Sequence, residues 1–426
     1  LVNSLASSAF LELTTAYDNN NAYLTVAARS SGSGVFDSVA RTSNQHAVAG
    51  ALDTLAQSGD SLSLYNTLLM MTAGEARDAY DQMSGSSYAG QQAAMIQGST
   101  AINTALNNRM RSAFETVGTA GTTRAQALGY AEEKKADENG PFAAYDAKKT
   151  ARLADPDRFA VWGSGFSSRM SGDGLDGTSG TDSTIGGFLI GADGMVSERW
   201  RVGLSAGHSD SAFNTDESSG DSSNYHLGVY AGTEIGKLSF RSGLSYTWYD
   251  VDSSRSVAAL GETLEGSYDA TGFNAFGELG YRMDLGETAL EPFAALAYSH
   301  LKTNSFTETG GLSALTVDGS TMDTAYSTLG MRASHDFDLG GVIAVARGMV
   351  GWRYAFGDVT PTSTARFMTG DAFTVSSTPL DRNAALVEAG LDIKLDDNAT
   401  VGIGYVGQFG KSAIENGFNA QFRVKF

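Results

Sequence analysis

Residues 416–426 read Asn416-Gly417-Phe418-Asn419-Ala420-Gln421-Phe422-Arg423-Val424-Lys425-Phe426. Phe418, Ala420, Phe422, Val424 and Phe426 share one parity; Asn419, Gln421, Arg423 and Lys425 hold the other. Strict alternation puts one set on each face of a β-strand. An apolar outer face closing on an aromatic suits the last strand of a barrel in lipid. Such a strand must pair on both edges, because hydrocarbon offers no partner to an open one. The pattern therefore predicts earlier strands onto which it closes.

From Asp157 onward the period is two. Twelve alternating segments can be marked: 157–171, 183–195, 199–213, 223–235, 238–252, 268–284, 288–304, 322–338, 341–357, 382–395, 398–409 and 416–426. The expected fold is a 12-stranded antiparallel transmembrane β-barrel preceded by an α-helical segment, part of which plugs the pore. Trp200, Val202, Leu204 and Ala206 form the outer face of the third strand, and Leu238, Phe240, Leu244, Tyr246 and Trp248 that of the fifth. The opposite faces carry Arg201, Arg241, Glu278, Arg347, Arg353, Glu388 and Arg423. A buried soluble core would not hold so many charges; a water-filled lumen would. On this parity Arg is expected to be costly at Val387 or Leu244, in lipid, and milder at Gly390 or Ser205, in the lumen.

Connections after even strands are short (196–198, 236–237, 286–287). Those after odd strands are mostly long and polar (172–182, 214–222, 253–267, 305–321, 358–381). Outer-membrane barrels combine short periplasmic turns with longer external loops, which places both barrel ends in the periplasm. It also places Trp162 and Trp200 at the periplasmic rim and Trp248 and Trp352 at the external rim, with Tyr405 in the same aromatic girdle.

Upstream, residues 1–45 hold two short extended pieces around the turn Asp18-Asn19-Asn20-Asn21, then a Gly/Ser-rich loop. They read as the remnant of a larger β-structure. Residues 46–113 change to helical period, with Ala47, Ala51, Leu52 and Leu55 on one face. Leu62, Tyr65, Leu68 and Leu69 form another, with Asp60 or Ser61 as N-cap. A third helix is expected from Ser86 or Ser87 to about Ala113, long enough to reach roughly 40 Å. Residues 114–156 are polar and of mixed charge, a linker expected to be the least ordered part, and 157–426 form the barrel.

Composition removes several alternatives. With no cysteine among 426 residues, disulfide and thiol chemistry are excluded. A net charge of −19 argues against nucleic acid, whose phosphates need Lys and Arg. No run of eighteen apolar residues exists, so no transmembrane helix is expected. Leu1, without Met or a signal segment, suggests a processed piece or an excised fragment.

Several motifs combine specifically: Val161-Trp162-Gly163-Ser164-Gly165, Leu290-Glu291-Pro292-Phe293, Gly351-Trp352-Arg353-Tyr354-Ala355-Phe356-Gly357-Asp358, Gly404-Tyr405-Val406-Gly407-Gln408-Phe409-Gly410 and Leu106-Asn107-Asn108-Arg109-Met110. Together they resemble the translocator unit of monomeric autotransporters of type V secretion. The resemblance implies a bacterial outer-membrane protein that exports its own N-terminal passenger and anchors it on the cell surface. It implies a monomer whose partners are outer-membrane lipids, the barrel-assembly machinery, periplasmic chaperones and the passenger, with no nucleic acid, cofactor, metal or catalytic residue. It makes Phe418, Phe422, Val424 and Phe426 an assembly signal, and Asn103, Asn107, Asn108 and Arg109 part of the pore helix. In many members an Arg-Met pair lies close before the first strand's Trp; here 51 residues separate Met110 from Trp162. Two candidates for the plug follow, 86–113 and 141–156.

Three motifs tempt toward chemistry. Gly59-Asp60-Ser61-Leu62 spells an esterase signature, but no histidine follows an Asp at the required spacing. Gly203-Leu204-Ser205-Ala206-Gly207 matches a nucleophile elbow yet sits mid-strand. Asn107-Asn108 offers self-cleavage by Asn cyclisation, against the simpler reading of two polar helix positions beside Arg109. The competing functions are a passive diffusion channel and a barrel-embedded hydrolase.

Overall fold

The computed structural model describes residues 7–425 apart from 30–31, 33, 115–116, 118–158, 175–177, 339–341 and 396–398. The polar linker beyond Phe114 and Val117, the second plug candidate at 141–156 and the terminal Phe426 lie outside the described residues.

The chain opens with a hairpin of β1 (Leu11–Tyr17) and β2 (Ala22–Ala28). Helices α1 (Ser43–Asp53), α2 (Gly59–Leu69), α3 (Ala73–Met83) and α4 (Ser86–Ala113) follow. Thr42 caps α1 by accepting from the Gln45 N–H, and Thr72 with Glu75 forms a capping box on α3. Helix α2 starts one residue before the expected caps: Gly59, with Ser58 before it, precedes Asp60 and Ser61. The sequence reading missed α3, whose buried face is only Ala76, Ala79, Tyr80 and Met83.

Next come β3 (Phe159–Gly172), β4 (Thr181–Met195), β5 (Trp200–Asn214), β6 (Ser218–Ile235), β7 (Leu238–Val257) and β8 (Glu262–Tyr281). A short β9 (Met283–Leu285) leads to β10 (Thr288–Thr303). The loop after it holds β11 (Phe306–Thr307) and β12 (Thr316–Val317), before β13 (Ser320–Asp338) and β14 (Ile343–Gly357). Then follow β15 (Thr362–Arg366), β16 (Phe373–Ser376), β17 (Asn383–Lys394), β18 (Ala399–Phe409) and β19 (Ala413–Lys425).

Twelve of these strands close a barrel. Sequential antiparallel neighbours run from β3 around to β18, and β19 pairs both with β18 (Tyr405↔Phe418) and with β3 (Phe418↔Ser167). Strands β10 and β13 pair directly, leaving β11 and β12 outside the wall. Closure removes every edge from the wall, as lipid requires. Phe159 and Lys425 fall at the end that bears the short turns.

Two expected loops are mostly strand. Residues 214–222 shrink to a turn at 215–217, and 253–267 to one at 258–261, because inward Val251, Arg255, Val257, Leu264 and Tyr268 find partners there. The wall stands taller on that side than a bilayer needs. The loops 304–319 and 358–382 also acquire structure: β11, β12, β15 and β16 make a four-stranded sheet above the barrel mouth. Helices α1 to α3 pack on it, and one apolar core joins Phe10, Phe36, Leu52, Leu64 and Leu68 to Leu315, Val317, Phe373 and Val375. Asn44 imitates a neighbouring strand toward β16: its Nδ2 donates to the Ser376 carbonyl (2.8 Å), and its Oδ1 accepts the Ser376 N–H (3.0 Å).

Candidate functional site

Helix α4 runs through the barrel. Tyr88 meets Glu308 at the looped end, Gln91 meets Tyr268, Ser99 lies 3.4 Å from Ser299, Asn107 meets Glu278, and the Ser112 carbonyl accepts from Arg423 near the last strand's end. Its 28 residues span about 42 Å. The helix bears Ala, Gly, Ser, Thr and Asn because a barrel of this strand number leaves room for little more than small side chains around a helix. The glycines that admit it are on β6. A Cβ at Gly228 would meet Leu106 at 3.2 Å, and one at Gly232 would meet Phe114 and Met110. Gly203 and Gly207 make space instead for Tyr230 and Leu189 of neighbouring strands.

The lumen charges form three groups. Asp193 accepts from Arg109 (2.5 and 2.7 Å), from Arg201 (2.5 Å) and from the Tyr230 hydroxyl (3.0 Å). Glu278 and Glu291 alternate with Arg241 and Arg332 in a buried four-membered ring, and Asn107 Nδ2 adds a bond to Glu278 Oε2 at 2.9 Å. Toward the opposite wall Arg111 of α4 lies 3.4 Å from Glu388; on that wall Arg347 lies 3.2 Å from Asp392, and Arg353 donates to Gln408 at 2.6 Å. Arg423 donates to Thr400 as well as to the helix end. So the inward residues named from parity, Arg201, Arg241, Glu278, Arg347, Arg353, Glu388 and Arg423, all lie inside. Their partners Asp193, Glu291, Arg332 and Asp392 were not singled out, although each keeps the inward parity of its strand.

The filling is uneven. Cavities of about 80 and 100 Å³ lie beside Thr100, Thr104 and Asn108, facing Arg353, Glu388 and Met349. Asn103 lines the larger one, and Asn108 Oδ1 accepts from Arg111. Two expectations from parity need correction. Trp162 is not part of the girdle: it is 5% exposed against 41% for Trp200, donates to the Tyr230 hydroxyl and packs with Ile102 and Leu106. Trp248 and Trp352 do face outward, as does half-buried Tyr405, whose hydroxyl donates to Asn416. Nor is the lumen open water: Ser205 is 6% exposed, and a Cβ at Gly390 would sit 2.6 Å from the Arg347 guanidinium carbon. An Arg at either place meets packed side chains. On β19 Phe418 and Phe422 are exposed outward and Val424 is half-buried.

At the looped mouth Arg255 clasps Glu308 with two bonds and donates to the Gln82 carbonyl at the end of α3 (2.7 Å). In the helical cap above, burial pushes the Asp53 carboxyl up despite donation from the Phe36 and Val35 N–H groups. Burial likewise raises Asp81 against the opposing bond from Gln45.

A barrel of twelve strands threaded by its own preceding helix has known counterparts. The model of the autotransporter β-domain matches residues 161–406. The chain belongs to the autotransporter β-domain family. It is 30% identical over 368 residues to an extracellular serine protease of Serratia marcescens, a match covering 85% of this chain and 32% of that protein. The chain thus spans about a third of the length of the curated relatives it matches. The translocator domain of the autotransporter NalP from Neisseria meningitidis superposes with a TM-score of 0.53 at 16% identity, covering 67% of this chain and 96% of that one. The transport unit of AIDA-I from Escherichia coli gives 0.52 at 16%, covering 63% and 90%. These likenesses concern the fold. As an autotransporter β-domain, the barrel is an outer-membrane translocator for a passenger domain.

Proposed function

We propose that the structure represents this translocator after export, with α4 left in the pore as a plug and residues 7–83 held outside as a folded cap. The carrying observation is the direction of α4: Phe10, Phe36 and the helices α1 to α3, all N-terminal to it, share one core with the loops at the looped end. An upstream passenger would therefore emerge at the cell surface, tethered through the cap. The Serratia relative's description makes a protease the first class to assay for that passenger. The barrel itself does no chemistry on this reading. Helix α4 is continuous through Asn107 and Asn108, and the Asn107 amide nitrogen is engaged by Glu278, which holds it from attack on the backbone. The outward aromatics of β19, Phe418 and Phe422, are the surface that the barrel-assembly machinery and periplasmic chaperones would read.

The cysteine-free chain makes the test simple. A Tyr17→Cys variant, at a position 76% exposed on the hairpin, should react with a membrane-impermeant maleimide on intact cells. Lys237→Cys, in a short turn, should react only after the outer membrane is permeabilised. The reverse pattern would refute the orientation. A diffusion channel would instead require an open lumen, which the packed helix does not provide.

A further inference from the structure

We infer that the closing seam carries a binding site for one anionic lipid of the outer leaflet. On one side of the seam β3 presents Gly165 and Ser167 at successive outward positions. On the other side stand Ala420 opposite Gly165 and Phe418 opposite Ser167. Ile403 and Tyr405 of β18 continue the wall, and the Tyr405 and Phe418 rings lie 5.6 Å apart. The result is a shallow furrow of about 690 Å³ on the outer surface, with Leu391 of β17 on its far side. An added Cβ at Gly165 would meet nothing closer than a backbone oxygen at 3.9 Å, so the floor is open toward lipid.

The furrow is continuous with the lipid-facing belt, so its occupant is an acyl chain. Tails are as apolar as the wall, and hydrophobic transfer gives no preference for this place. Close van der Waals contact in a concave groove does. The head end supplies the charge. One outward step beyond Ser167 stands Arg169, 69% exposed on its side chain and only loosely paired with Asp182 at 3.5 Å. Asn416 faces it across the seam, itself accepting from the Tyr405 hydroxyl. An exposed pair of this length contributes little and leaves the guanidinium available to a phosphate. Because Arg169 lies toward the external loops, the phosphate belongs to an outer-leaflet lipid.

The test uses the full chain in nanodiscs holding equal phosphatidylglycerol and phosphatidylcholine, followed by native mass spectrometry after detergent release. The wild type should retain one phosphatidylglycerol, favoured roughly tenfold over phosphatidylcholine. Gly165→Phe, filling the floor, should abolish retention. Ala420→Phe fills the same floor from β19 and serves if Gly165→Phe does not insert. Arg169→Gln should keep a retained lipid but lose the preference. Inorganic phosphate in excess should displace nothing, since the acyl chain holds the ligand. Equal retention by wild type and both Phe variants, no headgroup preference in the wild type, a preference that survives Arg169→Gln, or displacement by phosphate would each overturn the proposal.

Discussion

Replacing Glu278 tests whether the lumen charges act as one structural unit. Its carboxylate accepts from Arg241 Nη1 (2.7 Å), from Arg332 Nη1 and Nη2 (2.8 and 2.6 Å) and from Asn107 Nδ2 (2.9 Å), with 2% of the residue exposed. With Glu291 the ring is neutral; in Glu278→Gln it carries one uncompensated positive charge. Each close pair is worth about 4 kcal/mol at an effective dielectric constant near 20. Glu291 remains within 3.1 Å of both arginines and recovers part of this. Breaking a buried pair from one side costs about 3–5 kcal/mol; Gln keeps one acceptor oxygen, so about 3 kcal/mol is expected for Gln and up to about 5 for Ala. Asn107→Ala removes a single bond to a charged group and should cost about 1.5–3 kcal/mol. The assay is guanidinium unfolding in detergent micelles, followed by loss of the compact band on unheated gels. The pair Glu278→Ala with Arg332→Ala restores neutrality around Arg241 and Glu291, so the double variant should be markedly more stable than the sum of the singles. A Glu278→Gln protein within 0.5 kcal/mol of wild type, roughly the range of an ordinary surface substitution, or strict additivity in the cycle, would refute the reasoning.

Ser99→Cys with Ser299→Cys should form a disulfide on mild oxidation, since the two hydroxyls lie 3.4 Å apart; persistent free thiols in both would place α4 elsewhere. Leu244→Arg, on the lipid face, should cost about 2–4 kcal/mol. Gly390→Arg should also be costly, because its first side-chain atom meets the Arg347 guanidinium; refolding yields that leave it near wild type would contradict the packed lumen. The cap should gain resistance to proteolysis as the pH falls from neutral toward 4. The Asp53 carboxyl is raised above its usual 3.8 by burial, so its contribution is fully present below that value and is lost as the pH rises through the folded pKa. Asp53→Asn should flatten that dependence, as limited digestion across the range would show.

The strand pattern was legible because side-chain direction in a strand is a local, period-two property. Twelve runs could be read without knowing any contact, and the alternation of short and long connections gave the orientation. Charge facing a lumen was legible for the same reason. Which charge meets which was not: Arg109 finds Asp193 across 84 residues, and Glu278 finds Arg332 across 54, distances that only closure and plug insertion span. Trp162 shows the limit most plainly. Strand β3 has apolar residues on both parities, Val161 outward and Trp162, Phe166 and Met170 inward, so hydropathy alone cannot assign its faces. Ile102 and Leu106 of the helix supply the apolar surroundings that turn the indole inward. The loops tell the same story. Their Gly, Ser and Thr content reads as irregular chain, yet β11, β12, β15 and β16 form because Leu315, Val317, Phe373 and Val375 bury against the cap. Local periodicity thus determined the barrel and the parity of most of its strands. Tertiary structure decided what fills it and what sits on it, because burial at those sites depends on residues that become neighbours only after the wall has closed.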